Sequence, residues 1–304
     1  MAFKPFILIV GPTASGKSSL GDSLAAQFGG AILNCDSLQT YCRLDIGTAK
    51  PTREQRAKIP HFLFDVLGPG EILTAGDFRK MALEILAREL PQRMVFGVGG
   101  SGFYIQALEK GMFEVEKSDI EVDRAVREEL AEKGLTQMYE KLRRQDPEYA
   151  DVLNPNDAYR ITRALVMIAG SGKTVTELRA GFQRQAFPYP LLKLGVQASR
   201  EQLLPRIEQR TREMFAQGFL EEVRTLKEEG YASWAPMQSV GYKECLMHLN
   251  GEITFEQLIA LVNEKTLQLA KKQRTWFKRD PEIHWLDLND PLPEAQKLIT
   301  EFLA

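Results

Sequence analysis

The apolar positions of this chain change their spacing along its length. Over the first 110 residues, short continuous apolar runs alternate with stretches of helical periodicity. Phe6–Val10, Ala31–Asp36, His61–Val66 and Arg93–Val98 predict strands; residues 17–28, 75–90 and 102–110 predict helices. Alternation of this kind predicts an α/β fold, a parallel sheet covered by helices, with ligands bound beyond the carboxyl ends of the strands. From residue 113 to residue 190 the pattern turns helical and highly charged. Ser118 and Glu121 form a capping-box signature at its start, and Pro147, Pro155, Gly170, Pro188 and Pro190 punctuate it. This segment predicts an all-helical insertion. A strand at Leu191–Val196 predicts return to the sheet. Ser199 and Gln202, then Thr254 and Gln257, predict capped helices, and Ile283–Leu286 a last strand. The expected organisation is a core domain over residues 1–112, the insertion over 113–190, and the second part of the core over 191–304.

One loop carries specific chemistry. The first strand runs directly into Gly11-Pro12-Thr13-Ala14-Ser15-Gly16-Lys17-Ser18, and a helix follows. The pattern G-x-x-x-x-G-K-[ST] in that setting predicts a phosphate-binding loop. Backbone N–H groups and the positive end of the helix face the anion, Lys17 adds a mobile charge, and Ser18 can hold Mg²⁺. A second Gly-Lys-Thr, Gly172-Lys173-Thr174, has Met167 where the pattern needs glycine and follows a helical stretch. It predicts a helix C-cap and turn.

The other strand ends narrow the chemistry. The second strand leads into Asp36-Ser37-Leu38-Gln39, placing a carboxylate beside the phosphate loop as metal ligand, general base or turn cap. The fourth ends in Gly97-Val98-Gly99-Gly100-Ser101-Gly102, where a motor ATPase or a switch GTPase would carry an acid for its metal shell. Arg160 and Arg163 share a helix face, for salt bridges to acids such as Asp157 or for phosphate contact.

Charge and composition then limit the partners. With 304 residues and a formal net charge of -2, global charge demands no polyanion. Locally, Lys265, Lys271, Lys272, Arg274, Lys278 and Arg279 stand against Glu264 alone, which fits a solvated face or an anionic partner. Cys35, Cys42 and Cys245, with three scattered histidines, form no disulfide or metal pattern and fit a reducing compartment. No apolar run reaches membrane-spanning length or forms a signal sequence, so the expectation is a cytoplasmic, monomeric protein.

The order of these motifs resembles the tRNA dimethylallyltransferase (tRNA isopentenyltransferase) family of bacteria. The resemblance rests on Gly11 to Ser18; Asp36-Ser37-Leu38-Gln39-Thr40-Tyr41; Asp45 to Pro51; Gly99-Gly100-Ser101-Gly102-Phe103-Tyr104; Tyr159-Arg160-Ile161-Thr162-Arg163-Ala164; Ser199 to Glu201; Val240 to Glu244; and Ala270 to Phe277. It covers nearly the whole chain. Leu38 replaces Met, Ser101 replaces Thr, and Tyr159 replaces Gln. The family's arginine early in the insertion falls on Asp123, with Arg124 beside it. The resemblance implies a P-loop NTPase-like sheet and transfer of a dimethylallyl group from dimethylallyl diphosphate to N6 of adenosine 37 beside the tRNA anticodon. It implies catalytic roles for Asp36, Thr13 and Lys17, diphosphate contact along residues 11–18, and Mg²⁺ at Ser18. Contact with the tRNA anticodon arm is implied for Asp36, Ser37, Leu38, Gln39, Ser101, Arg124, Tyr159, Arg160, Ile161, Thr162 and Arg163, and the same arm is expected to meet Lys271, Lys272 and Arg274. The basic helix and the insertion are expected to grip opposite sides of that arm. A P-loop kinase explains residues 1–110 without the basic helix. A non-catalytic RNA-binding module explains the basic helix without an intact Lys17, Ser18 and Asp36.

Overall fold

The computed structural model describes residues 3–112 and 120–304, with the side chain of residue 120 excepted; Ser118 of the expected capping box lies outside them. The chain packs as two units, residues 1–109 with 187–304, and residues 110–186.

The first unit begins with β1 (Phe6–Val10), α1 (Lys17–Gln27), β2 (Ala31–Asn34), α2 (Arg53–Lys58), β3 (His61–Phe62), α3 (Ala75–Glu89), β4 (Val95–Gly99) and α4 (Gly102–Lys110). The insertion supplies α5 (Ile120–Gln145), α6 (Pro147–Asp151), α7 (Ala158–Ser171) and α8 (Val175–Ala180). The chain then returns with β5 (Leu191–Gln197), α9 (Arg200–Ala216), α10 (Phe219–Glu228), α11 (Tyr242–Leu249), α12 (Phe255–Phe277), β6 (Ile283–Asp287) and α13 (Pro291–Leu303). The strands form one parallel sheet in the order β3-β2-β4-β1-β5-β6. β1 lies between β4 and β5, and all of its residues are buried. Apolar runs with no alternation are what a sheet covered on both faces requires. The main core joins Ile7 and Ile9 to Leu24, Phe96, Leu194, Val196, Leu203, Ala270 and Ile299. Among the described residues no helix is long and apolar enough to cross a membrane.

Three strands are shorter than their apolar runs predict, each for a local reason. β2 stops at Asn34 because the Asn34 side chain takes over the next turn. Its Oδ1 accepts from Asp36 N at 2.8 Å, and its Nδ2 donates to the carbonyls of Asp36 at 3.0 Å and Leu63 at 2.9 Å. β3 stops at Phe62 because Leu63 (φ 63°) and Asp65 (φ 52°) are left-handed, which breaks a strand. Asp65 is held there by Lys50 and Arg56, each at 2.6 Å. β4 begins at Val95, after Arg93 has paired with Glu89 at 3.2 Å.

The second unit has its own core of Val126, Met138, Leu142, Ala150, Ile161, Leu165 and Val166. α5 bends at Gly134 (φ 77°, ψ 163°). α7 starts at Ala158 because Asp157 accepts from Arg160 N at 3.0 Å as its N-cap. It ends on left-handed Gly172, and Thr174 caps α8 with Glu177, so the second Gly-Lys-Thr is a helix C-cap and turn.

The segments Asp45–Pro51 and Val240–Glu244 had no assigned chemistry in the sequence, and the fold shows what joins them. The Glu222 carboxylate on α10 accepts from the backbone N–H groups of Asp45 (3.0 Å), Ile46 (2.7 Å) and Gly47 (3.2 Å) and from the Tyr242 hydroxyl (2.6 Å). Burial and the Glu222 charge push the Tyr242 phenol well above its ordinary pKa, so it stays a donor. Gly47 is required because a Cβ there would stand 2.2 Å from the Phe219 ring. Removing the acceptor leaves four donors without it. Glu222→Ala is therefore expected to destabilise the fold by about 3 kcal/mol, with Glu222→Gln costing less. Urea unfolding of both variants checks this; equal stability to the parent contradicts it.

Candidate phosphate-binding active site

The site gathers at the carboxyl ends of β2, β4, β1 and β5. Residues 11–16 leave β1 as a tight loop, with Ala14 at φ 63° and Gly16 at φ 80° as the N-cap of α1. Glycine at position 16 takes that left-handed conformation without strain. Ser15 is 2% exposed, and its hydroxyl makes no hydrogen bond among the described residues. Lys17 Nζ donates to the Pro12 carbonyl at 3.2 Å. Ser18 is exposed on the first turn of α1.

The opposite wall comes from the Asn34 turn. Asp36 lies half-buried at its exit, and its Oδ1 accepts from Leu38 N at 3.0 Å. The carboxylate is therefore a turn cap through one oxygen. Ser101, after β4, accepts from Ser37 N at 2.9 Å and lies 3.1 Å from the Ser37 hydroxyl, so the β2 and β4 exits are fastened together. Gln39 Nε2 donates to the carbonyls of Thr48 (3.0 Å) and Ala49 (3.3 Å). Leu38 is half-buried beside it.

Three contributors come from distant sequence. Arg210 on α9 donates to the Thr13 hydroxyl at 3.2 Å. Arg206, one turn earlier on the same helix, would stand 3.8 Å from a Cβ at Gly16. Gln273 on α12 accepts from Thr13 N at 2.8 Å and donates to the Gly100 carbonyl at 3.1 Å. A Cβ at position 100 would lie 2.4 Å from Gln273 Nε2, so a side chain there would displace that amide. Sequence reading missed Arg206, Arg210 and Gln273. For the arginines the available signal was their spacing, four apart on the helix capped by Ser199, which puts them on one face; for Gln273 it was the motif Ala270 to Phe277.

These charges perturb one another. Burial pushes Lys17 down to about 8; Asp36 opposes that shift and Arg210 adds to it. Burial lowers Arg210, against the pull of Asp36. Burial raises the Cys35 thiol beneath the site, with Asp36 adding to the effect, so it stays neutral. Concentrated cations with one flanking carboxylate are what a candidate anion site with a proton acceptor at its edge requires.

The α12 helix also presents Lys271 and Lys272 to solvent, and Arg274 reaches the Ala198 carbonyl at 3.5 Å. In the second unit, Tyr159 is 78% exposed and Arg163 is exposed, while Arg160 pairs with Asp157. Arg124 is exposed and pairs with Glu121 and Glu128. Ile161 corrects the expectation of a side-chain contact: at 0% exposure it packs within the insertion core, away from the surface. Thr162 is nearly as buried. The helical period turns both inward while Tyr159, Arg160 and Arg163 face out.

Comparison with known proteins gives the same fold and order. The family model described as IPP transferase matches residues 39–280. A protein of Bdellovibrio bacteriovorus named tRNA dimethylallyltransferase is 45% identical, across 100% of this chain and 99% of that one. The structure of a tRNA isopentenylpyrophosphate transferase from Bacillus halodurans matches with a TM-score of 0.71 at 29% identity, covering 99% of this chain and 97% of that one. A eukaryotic dimethylallyltransferase acting on tRNA matches with a TM-score of 0.78 at 27% identity, covering 94% and 74%.

The Lys17 shift has two consequences of definite sign. Its folded pKa of about 8 lies below the ordinary 10.5, so the unfolded chain holds more protons between those values. This residue's contribution to stability therefore rises with pH across that window. Anion affinity runs the other way. Affinity for an alkyl diphosphate is expected to fall above pH 8, by up to about tenfold per pH unit for one proton. Lys17→Arg is expected to flatten that fall and serves as the control for the ligand's own ionisation. Calorimetric titrations from pH 7 to 9.5 check it; parallel profiles for the two proteins contradict it.

Proposed function

The chain belongs to the IPP transferase family, and we propose that it transfers a dimethylallyl group from dimethylallyl diphosphate to N6 of adenosine 37, next to the anticodon of tRNA. The observation that carries this reading is the placement of a carboxylate, Asp36, opposite a phosphate loop whose lysine it influences. The loop N–H groups, Lys17 and Arg210 bind the diphosphate, and Thr13, between Gln273 and Arg210, orients it. As the C1–O bond breaks, its electron pair leaves with the diphosphate, and the cations stabilise the charge that develops there. C1 bonds to N6 of the adenine, and the N6 proton passes to the Asp36 carboxylate. The base leaves its stack to reach the pocket. No phosphoryl group moves.

Mg²⁺ fits the residues present. The Ser18 hydroxyl is an exposed hard oxygen donor, free of protein partners among the described residues. No group of three His, Cys, Asp or Glu side chains able to hold a metal occurs among them. The ion would complete its shell from diphosphate oxygens and water, as Mg²⁺ commonly does. Bound there, it would offset charge on the leaving group.

The exposed Lys271 and Lys272 with Arg274, Gln39, Ser37, Leu38 and Ser101, and in the insertion Tyr159, Arg160, Arg163 and Arg124, are our candidates for tRNA contact. The reaction places the protein in the cytoplasm with its RNA substrate.

Two experiments bear on this reading. In single-turnover transfer, Asp36→Asn keeps shape and loses the proton acceptor, so the rate should drop about 10²–10⁴-fold with RNA affinity little changed. Lys17→Ala should abolish turnover in a folded protein. An unchanged rate in either variant overturns its assigned role. Separately, tRNA affinity should fall with salt, by a log–log slope of roughly 0.7 to 0.9 per phosphate contact. Lys271→Glu/Lys272→Glu and Arg160→Glu/Arg163→Glu should each flatten it while sparing diphosphate affinity. If both retain the parent slope, these side chains do not hold the RNA.

A further inference from the structure

The transfer has a leaving half and an accepting half, and the chain builds them on different strands. The phosphate loop after β1 would hold the departing diphosphate, and the turn after β2 holds Asp36. The spacing of the two decides whether C1 and the amine meet in line. A side chain that sets this spacing matters to the rate without touching a substrate.

On the accepting side the links flank Asp36. The Ser101 hydroxyl accepts from Ser37 N at 2.9 Å, and the Ser101 amide donates to the Cys35 carbonyl at 3.3 Å. There is no slack between these segments: a Cβ at Gly99 would stand 2.2 Å from the Cys35 carbonyl carbon. The Asp36 turn therefore moves with the β4 exit. On the leaving side, Gln273 Nε2 donates to the carbonyl of Gly100, the residue before Ser101, at 3.1 Å. Its Oε1 accepts from Thr13 N at 2.8 Å. One planar amide thus sets how far the phosphate loop stands from the β4 exit, and through that exit from Asp36.

The Thr13 end has a second consequence. The Thr13 N–H is spent on Gln273, so it is not among the loop amides that face an anion. Thr13 Oγ1 accepts from Arg210 at 3.2 Å, which leaves the hydroxyl's own hydrogen to be donated. Held this way, Thr13 offers a ligand its O–H in place of its backbone N–H.

We propose that Gln273 is a positioning residue for the transfer step: through Thr13 and Gly100 it sets the spacing between the departing diphosphate and the Asp36 carboxylate, and it binds neither RNA nor prenyl donor itself. This rests on the transferase reading above. The C1–O bond breaks with its electron pair on the diphosphate, the C1–N6 bond forms, and the N6 proton goes to Asp36. Gln273 exchanges no proton in these steps. Its loss should slow the chemistry and leave both substrates bound.

The link can be broken from two elements. Gln273→Met keeps the length of the side chain and removes both amide groups. Gly100→Ala leaves α12 untouched, but its Cβ would fall 2.4 Å from Gln273 Nε2 and displace the amide. Wild type, both single variants and the double variant are compared in single-turnover transfer with tRNA and dimethylallyl diphosphate saturating. The dissociation constant of each substrate and the thermal melting of each protein are measured alongside. Each single variant is expected to lose about 10²-fold in rate, with both dissociation constants within about threefold of the parent. The double variant should lose no more than the worse single one, because both changes remove the same link. Losses that multiply in the double variant overturn the proposal, as do parental rates in folded variants. A loss of tRNA affinity that saturating tRNA corrects makes Gln273 an RNA contact and overturns it too. If Gln273→Met melts far below the parent, Gly100→Ala is read alone: a slow step at saturation supports the proposal, and a parental rate overturns it. Failure of the transferase reading looks different, since wild type itself would then transfer no prenyl group.

Discussion

The active site depends on one side-chain amide. Gln273 accepts from the Thr13 amide and donates to the Gly100 carbonyl. Thr13 lies in the loop after β1 and Gly100 at the exit of β4, while Gln273 belongs to a helix more than 170 residues further on. An amide can satisfy both groups because it carries donor and acceptor on one rigid plane. The candidate phosphate loop, the strand exit that touches the Asp36 turn, and the basic helix are thus held in one arrangement. Gly100 and Gly102 follow from that closeness, since a side chain at either would occupy the space of Gln273 or Trp276.

A second lock lies just beyond the carboxyl end of the same helix. Lys193, buried in β5, pairs with Asp280 and Glu282 at 2.8 Å and with Glu109 at 3.1 Å. Burial alone would lower its pKa; the carboxylates outweigh that and hold it above the ordinary lysine value, so it remains charged. The lock joins the end of α4, the strand next to the sheet's β6 edge and the turn after α12. Between this anchor and Gln273, Trp276 and its neighbouring cations occupy a fixed place. The cations proposed to meet RNA sit on an element whose position is set by other, buried polar contacts.

The parts legible in the sequence were those in which neighbours in the chain are neighbours in space. The phosphate loop, the Asp36 turn and the glycine-rich strand exit are each contiguous, and each lies where a parallel sheet puts its ligands. The run of helices from α5 to α8 was legible as a change of periodicity. Arg206, Arg210 and Gln273 were not, because each acts on a loop almost 200 or more residues away and nothing local marks an arginine or glutamine for that task. Ile161 shows the opposite error. A contiguous motif on a helix was carried over as a contact surface, but a helix turns about a third of such residues inward. The shortened β3 likewise reflects Asp65 being held by Lys50 and Arg56, which the apolar run cannot reveal.

The central claim is that this phosphate loop binds a diphosphate that leaves, rather than a nucleotide that gives up a phosphoryl group. Its most direct measurement is a stoichiometry. The protein is incubated with tRNA and dimethylallyl diphosphate labelled in the allyl chain, and with tRNA and γ-labelled ATP in parallel. The account predicts one inorganic diphosphate released for each labelled adenosine found in the digested RNA, with no phosphate transferred from ATP. Label from ATP on an acceptor, with no allyl label in the RNA, would contradict it.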